Sequence, residues 1–477
     1  MTTSYQTYEP GQRLLLPPAL QEWLPKGHLA HFISDTIDAL DLKGFYKRYE
    51  GGGSRNQPFH PAMMVKVLMY GYATGVFSSR KIARKLHEDI AFRVLAAGNF
   101  PKHRTLSDFR ALHLKEMAEL FVQVVKLAQE CGLVKLGTIA VDGTKLRAKA
   151  SKHKAMSYER MQKAEVELKA QVEALLARAA QTDVKEADEP ELDIPAEIER
   201  REQRIAAIQA AKQRLEERQL LADRQSGRKP DATPTDGPPG RSPQPVQPVQ
   251  SVPATAVEPQ PETAQQKSCA SDGDSGSEPG KPARRVKRAF GVPPPKAQDN
   301  FTDPDSRIMK TSAGFEQCFN AQTAVDSHRQ IVVAAELTQC AADSGELPGM
   351  LDAVKRNTDA SPEVALADAG YRGEEVFEKL SASPTEVIVA LGREGKKQAA
   401  INADQLPCTA AMAAKLESAD GRAKYRRRKA IVEAPNAWIK QILGFRQFSF
   451  RGIDKVRSEF KLVCAALNLR RMAAMTA

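Results

Sequence analysis

Apolar residues recur along the chain with different periods in different stretches, and the changes of period mark its elements. Residues 61–74 are apolar almost without interruption, and Pro61 suits a first helical turn, so this stretch predicts a helix. Ser78 is placed to cap a second helix over 79–88, and Thr105 a long one through about 130. Together these short helices and turns have the look of a helix-turn-helix unit, with Arg80, Lys81, Arg84 and Lys85 as one basic stripe. A solvated charged face has roughly even weight as an explanation of that stripe. The apolar runs 138–141 and 364–367 are too short for helices and read as strands, each ending on an aspartate, Asp142 and Asp368. Residues 317–325 and 330–337 predict a hairpin turning over 326–329. Helices near 346–356 and 374–381, a strand at 386–390 and a terminal helix complete an α/β pattern with a mixed sheet.

Two stretches break this pattern. Met161, Leu168, Val172 and Leu175 repeat with coiled-coil spacing, as do Ile198, Ile205, Ile208 and Leu215, with Pro190 and Pro195 between them. They predict an antiparallel helical hairpin over about 157–224, equally well a dimerisation or DNA-clamping arm or a passive insertion. Residues 226–300 then hold 15 of the chain's 30 prolines. Such a segment cannot bury enough apolar surface to offset its ordering entropy and is predicted to be disordered. Within it Lys281, Arg284, Arg285, Lys287 and Arg288 form a basic cluster. Residues 1–55 read as a leading segment that ends in the joint Gly51-Gly52-Gly53-Ser54.

Composition narrows the class. The 477-residue chain carries a formal charge of +11, and fourteen Lys/Arg against three acids fall between Gly421 and Arg471, which points to a polyanionic partner. Six scattered cysteines without a Cys-x-x-Cys pair argue against a zinc site or a disulfide framework and fit a reducing cytoplasm. No secretory signal and no run approaching the ~18 apolar residues of a membrane span is visible, so a cytoplasmic, nucleoid-associated protein is expected.

Candidate chemistry rests on three acids. Open α/β sheets place ligands at strand carboxyl ends, where Asp142 and Asp368 fall. Glu433 lies in Tyr-Arg-Arg-Arg-Lys-Ala-Ile-Val-Glu-Ala-Pro-Asn-Ala-Trp-Ile-Lys (425–440), which reads mainly as helix. Singly, each has an ordinary explanation as a turn residue or a solvated ion-pair partner. Together they suit two magnesium ions flanking a phosphate. At about 100° per residue, Tyr425, Lys429, Glu433 and Lys440 fall within roughly 80° of one another, and Arg428 points about 140° away from Glu433.

With these residues the chain resembles the DDE transposases of bacterial insertion sequences, whose catalytic domain is ribonuclease-H-like. Their third-acid helix carries a Tyr, two residues, Arg, three residues, Glu, six residues, Lys signature, matched here at Tyr425, Glu433 and Lys440 with one extra residue before Glu433. Either Lys429 stands in for the Arg with its three-residue spacing, or Arg428 does with a spacing of four; the helical wheel favours Lys429. Val-Asp-Gly-Thr at Asp142 and Ala-Asp-Ala-Gly-Tyr at Asp368 resemble the first and second acid motifs. The resemblance implies a helical DNA-binding domain at 56–133 and a catalytic domain at 134–154 and 301–477, interrupted by the hairpin at 155–225 and the linker at 226–300. It implies Asp142, Asp368 and Glu433 as catalytic metal ligands for two Mg2+, with Mn2+ as substitute. Tyr425, Arg428, Lys429, Lys440 and the stripe Arg80, Lys81, Arg84 and Lys85 would contact double-stranded DNA, both element ends and target, in a homodimer assembled on DNA. A plain metal-dependent nuclease and an inactive DNA-binding derivative are the rival readings.

Overall fold

The computed structural model describes residues 19–49, 57–182, 194–228, 289–392 and 401–476. The Gly51–Ser54 joint, Pro190, and residues 229–288 with the basic cluster Lys281–Arg288 lie outside them.

Among the described residues, a short 3-10 turn (Leu20–Trp23) is followed by seven α-helices: α1 (Leu29–Ala39), α2 (Lys43–Lys47), α3 (Pro61–Ala73), α4 (Ser79–Glu88), α5 (Ile90–Leu95), α6 (His103–Leu112) and α7 (Leu114–Glu130). The first two occupy the expected leading segment, and α1 buries Ile33 and Ile37 in the same core as α3. The long helix expected from Thr105 is two helices, α6 starting at His103 and α7 following a break at His113. His113 is fully buried among Phe45 and Phe109, so packing of its ring overrides helical continuity there. Helix α3 is buried almost throughout, as its unbroken apolar sequence requires.

The sheet is built on β1 (Thr138–Arg147). After it come β2 (Ala155–Ser157), α8 (Tyr158–Thr182), α9 (Ile194–Gln225), β3 (Gln298–Asn300), β4 (Arg307–Thr311), β5 (Gly314–Asp326), β6 (Val332–Thr338), α10 (Glu346–Thr358), β7 (Val364–Ala367), α11 (Glu374–Ser381) and β8 (Glu386–Val389). Strand β1 pairs antiparallel with β5 on one side and parallel with β7 on the other, and β8 continues parallel beyond β7. Both β4 and β6 pair with the far edge of the long β5, giving a six-stranded mixed sheet of ribonuclease-H-like character. Helices α12 (Pro407–Glu417), α13 (Ala419–Arg426), α14 (Arg428–Ala437) and α15 (Ile453–Thr476) complete the chain. Helix α15 buries Phe460, Val463 and Leu467 in a core continuous from the N-terminal helices to the sheet.

The inserted helices α8 and α9 pack on each other around a separate small core of Tyr158, Met161, Leu168, Ile208, Ala211 and Leu215. The stretch 289–300, expected in the disordered linker, is instead ordered against this arm. Strand β3 pairs with β2, and the buried Asp299 accepts ion pairs from Arg214 (2.6 Å) and Arg218 (2.8 Å). Composition averaged over 75 residues hides a short anchor whose stability comes from partners more than eighty positions away.

Candidate active site

The parallel pairing of β1 and β7 sets Val141 opposite Ala367, so the next residues, Asp142 and Asp368, lie side by side roughly 5 Å apart; Asp368 follows the end of β7 as expected, whereas β1 runs on past Asp142 to Arg147, paired there with β5. Asp142 is partly buried, and its Oδ2 accepts a hydrogen bond from Asn436 Nδ2 of α14 (3.1 Å). Asn436 is itself oriented by the Thr323 hydroxyl of β5, which donates to its Oδ1 (3.1 Å). Burial, and then the like charge of Asp368, push the Asp142 carboxyl up to about 6, against the opposing effects of Arg428, Asn436 and the Gly143 N–H. Asp368 caps the turn that follows β7 by accepting from Gly370 N (2.8 Å).

A further acid, Asp343, enters from the loop between β6 and α10. Its Oδ1 accepts from Asn320 Nδ2 and Gln322 Nε2, both at 2.7 Å, with Lys145 Nζ at 3.6 Å. The approach needs two glycines. A Cβ on Gly143 would lie 2.3 Å from Asp343 Oδ1, and one on Gly370 would lie 2.9 Å from Asp368 Oδ1 and 3.2 Å from Asp343 Oδ2. Beneath them the buried Tyr371 donates its hydroxyl to Gln322 Oε1. Burial, followed by the charges of Asp343, Asp142 and Asp368, raises the Tyr371 pKa, so this hydroxyl stays a donor.

The segment 425–440 departs from the single helix expected of it. Helix α13 ends at Arg426, Arg427 N closes a tight turn on Lys424 O (3.2 Å), and α14 starts at Arg428. Pro435 removes a donor inside α14, and residues 438–442 widen into a π-helical turn. The face that meets Asp142 is therefore the one carrying Asn436. On that side Arg428 is buried, lies 6.0 Å from the Tyr425 ring, and exerts a charge felt by Asp142, whereas Lys429 is exposed. The wheel's separation holds, with Lys429 and Glu433 both exposed and Arg428 buried apart from them, and the buried Arg428 is the cation whose charge is felt by Asp142. Lys440 does reach the site. Burial pushes its pKa down, and Asp142 leads the effects that pull it back up.

Glu433 is exposed on α14, three residues before Asn436 and hence on the adjoining face. Among the described residues no three His, Cys, Asp or Glu side chains are grouped closely enough to hold a metal ion. The α4 stripe stands apart from the sheet, with Arg80, Lys81 and Arg84 exposed, Lys85 half-buried, and ion pairs from Arg84 to Glu88 (3.7 Å) and from Lys85 to Asp89 (3.4 Å). Asp343 and Asn436 went unread in the sequence. An Asp in an Ala-Ala-Asp-Ser-Gly loop carries no local signal, and Asn436 was detectable only as a polar residue one turn beyond Glu433.

No helix among the described residues is long and apolar enough to cross a membrane. Residues 18–112 match a family model described as a transposase domain (DUF772), and residues 392–473 match one described as a transposase DDE domain. Neither the curated proteins nor the solved structures compared with the chain give a match.

Proposed function

We propose that this chain, an insertion-sequence DDE transposase by its two family matches, binds element ends as duplex DNA and performs metal-dependent strand cleavage and strand transfer at the Asp142–Asp368 pair. The supporting observation is electrostatic. Two carboxylates emerge from adjacent parallel strands close enough for one to raise the other, a cost that a divalent cation between them would relieve. Asp142 and Asp368 would hold magnesium, or manganese in its place, with Glu433 as the third acid on the exposed side of α14. When bound, such ions lower the pKa of water and stabilise a leaving oxygen.

The remaining roles belong to the chain's own residues. Asn436 fixes the Asp142 carboxylate through its amide, and Thr323 fixes Asn436. Lys440 and Arg428 put two positive charges beside the acids, where a DNA phosphate would otherwise be repelled. Asp343, bonded to Asn320 and Gln322 of β5 and paired with Lys145 of β1, fills the space beside Gly143 and Gly370. In this reading the 3′-hydroxyl freed by cleavage attacks target DNA at the same site.

The test uses DNA carrying an element end. Asp142→Ala is expected to abolish cleavage, and excess chelator to abolish it in the unaltered protein. Full cleavage in either case would overturn the reading. Pre-cleaved ends mixed with plasmid should yield joined products; hydrolysis without joining would reduce the protein to a nuclease.

A further inference from the structure

A cleft of about 650 Å³ lies between the start of α4, helix α6 and the two chain segments at Lys149 and Ser449–Phe450. Its wall carries Arg80, His103, Arg110 and Lys149, and no carboxylate lines it. Two donors on it are buried without an acceptor. Arg110 is only 5% exposed; its Nη1 donates to the Tyr72 hydroxyl (2.7 Å) and Phe77 O (2.9 Å), and its guanidinium lies 4.8 Å from the Phe450 ring, but its Nε is unpaired. The Ser79 hydroxyl, on the first residue of α4 and 9% exposed, is also unpaired. Buried donors are costly to leave unmade, so both call for an acceptor supplied from outside the fold. Glu459, which bonds the cleft residue Ser449, is fully buried and already engaged. It accepts from the Tyr72 hydroxyl (3.0 Å), from Ser449 N (2.8 Å) and from the Ser449 hydroxyl. Through Tyr72 it offsets the fixed charge of Arg110, which leaves Arg80 and Lys149 to attract a ligand.

We infer that this cleft is a binding site for a backbone phosphate of duplex DNA, clamped between the N-terminal helices and the catalytic domain; the inference rests on the transposase reading above. A phosphate is an acceptor-only anion that matches unpaired N–H and O–H donors at a helix N-terminus flanked by cations. Beyond Arg80, the first turns of α4 carry Lys81 and Arg84, both exposed, which can serve neighbouring phosphates. Lys149 is seven residues beyond Asp142 along β1 and its exit, so the cleft lies at most about 25 Å from the acid pair. That is less than the roughly 34 Å of one duplex turn, so one DNA segment can fill both.

The probe is a labelled 40-bp duplex of arbitrary sequence, because phosphate contacts carry no sequence information. Binding is titrated against salt with the full-length protein and chelator present, so that cleavage does not enter. Arg80→Gln with Lys149→Gln, both on exposed side chains, should flatten the plot of log K against log salt by about two phosphate contacts, close to 0.9 unit each. Ser79→Asp places a carboxylate in the lining that Ser79 shares with Arg110 and should weaken binding likewise, whereas Lys379→Gln on α11 should leave it unchanged. A double variant with the parent slope, or Ser79→Asp binding DNA as the parent does, would overturn the inference and leave the cleft to some other acceptor. Failure of the catalytic reading is separately visible, as cleavage that survives Asp142→Ala.

Discussion

Replacing Asp142 by Asn should make the metal-free protein more stable, because it removes a charge that is buried and faces a second carboxylate. The folded state holds this carboxyl at about 6, against an ordinary value near 3.8. A raised carboxyl pKa means that the native state binds the proton more tightly than the unfolded chain. The penalty is therefore absent below about pH 4, grows as pH rises toward 6, and is complete above it. At pH 7.5 the difference corresponds to about 3 kcal/mol, and at pH 5 to about half of that. Asn keeps an oxygen that can accept from Asn436, so the substitution removes charge without removing the contact. Denaturant unfolding of both proteins at the two pH values, in chelator, would read the effect as a shift in midpoint at constant slope. The variant is expected to gain stability at pH 7.5 and to lose about half of that gain at pH 5. Magnesium should stabilise the parent more than the variant. A variant no more stable than its parent at pH 7.5, or a gain independent of pH, would refute this account of the buried carboxylate.

Two further outcomes follow from the geometry. Arg428→Ala should reduce cleavage at least about tenfold, equivalent to ~1.4 kcal/mol of barrier, while Lys429→Ala costs less, because Arg428 is the buried cation whose charge reaches Asp142; kinetics of the two single variants decide, and the reverse order would restore the wheel's assignment. Asp299→Ala leaves Arg214 and Arg218 without their buried partner and should destabilise the docking of the inserted arm by about 3–5 kcal/mol, seen as faster proteolysis within α8 and α9, whereas excision of residues 229–288 removes none of the described contacts and should leave the protection pattern intact.

Much of the architecture is local information, and local patterns carried it. Pro61 and the apolar run behind it start α3 where the sequence says, and the runs ending at Asp142 and Asp368 are strands because short β-rich segments have few alternatives. Heptad spacing likewise foretold the pairing of α8 with α9 through Met161, Leu168, Ile208 and Leu215. What the sequence could not decide depends on which strands become neighbours. Asp142 and Asp368 are 226 positions apart and meet only because β1 and β7 pair in parallel with Val141 opposite Ala367. Asp343 joins them because two glycines leave room, and Asn436 because α14 packs across β1 and β5. An ideal wheel assumes an unbroken 3.6-residue period. Arg428, Lys429 and Glu433 share the one helix α14, so the wheel fixes their relative directions, but which of those faces meets Asp142 is decided by the surface that α14 packs against.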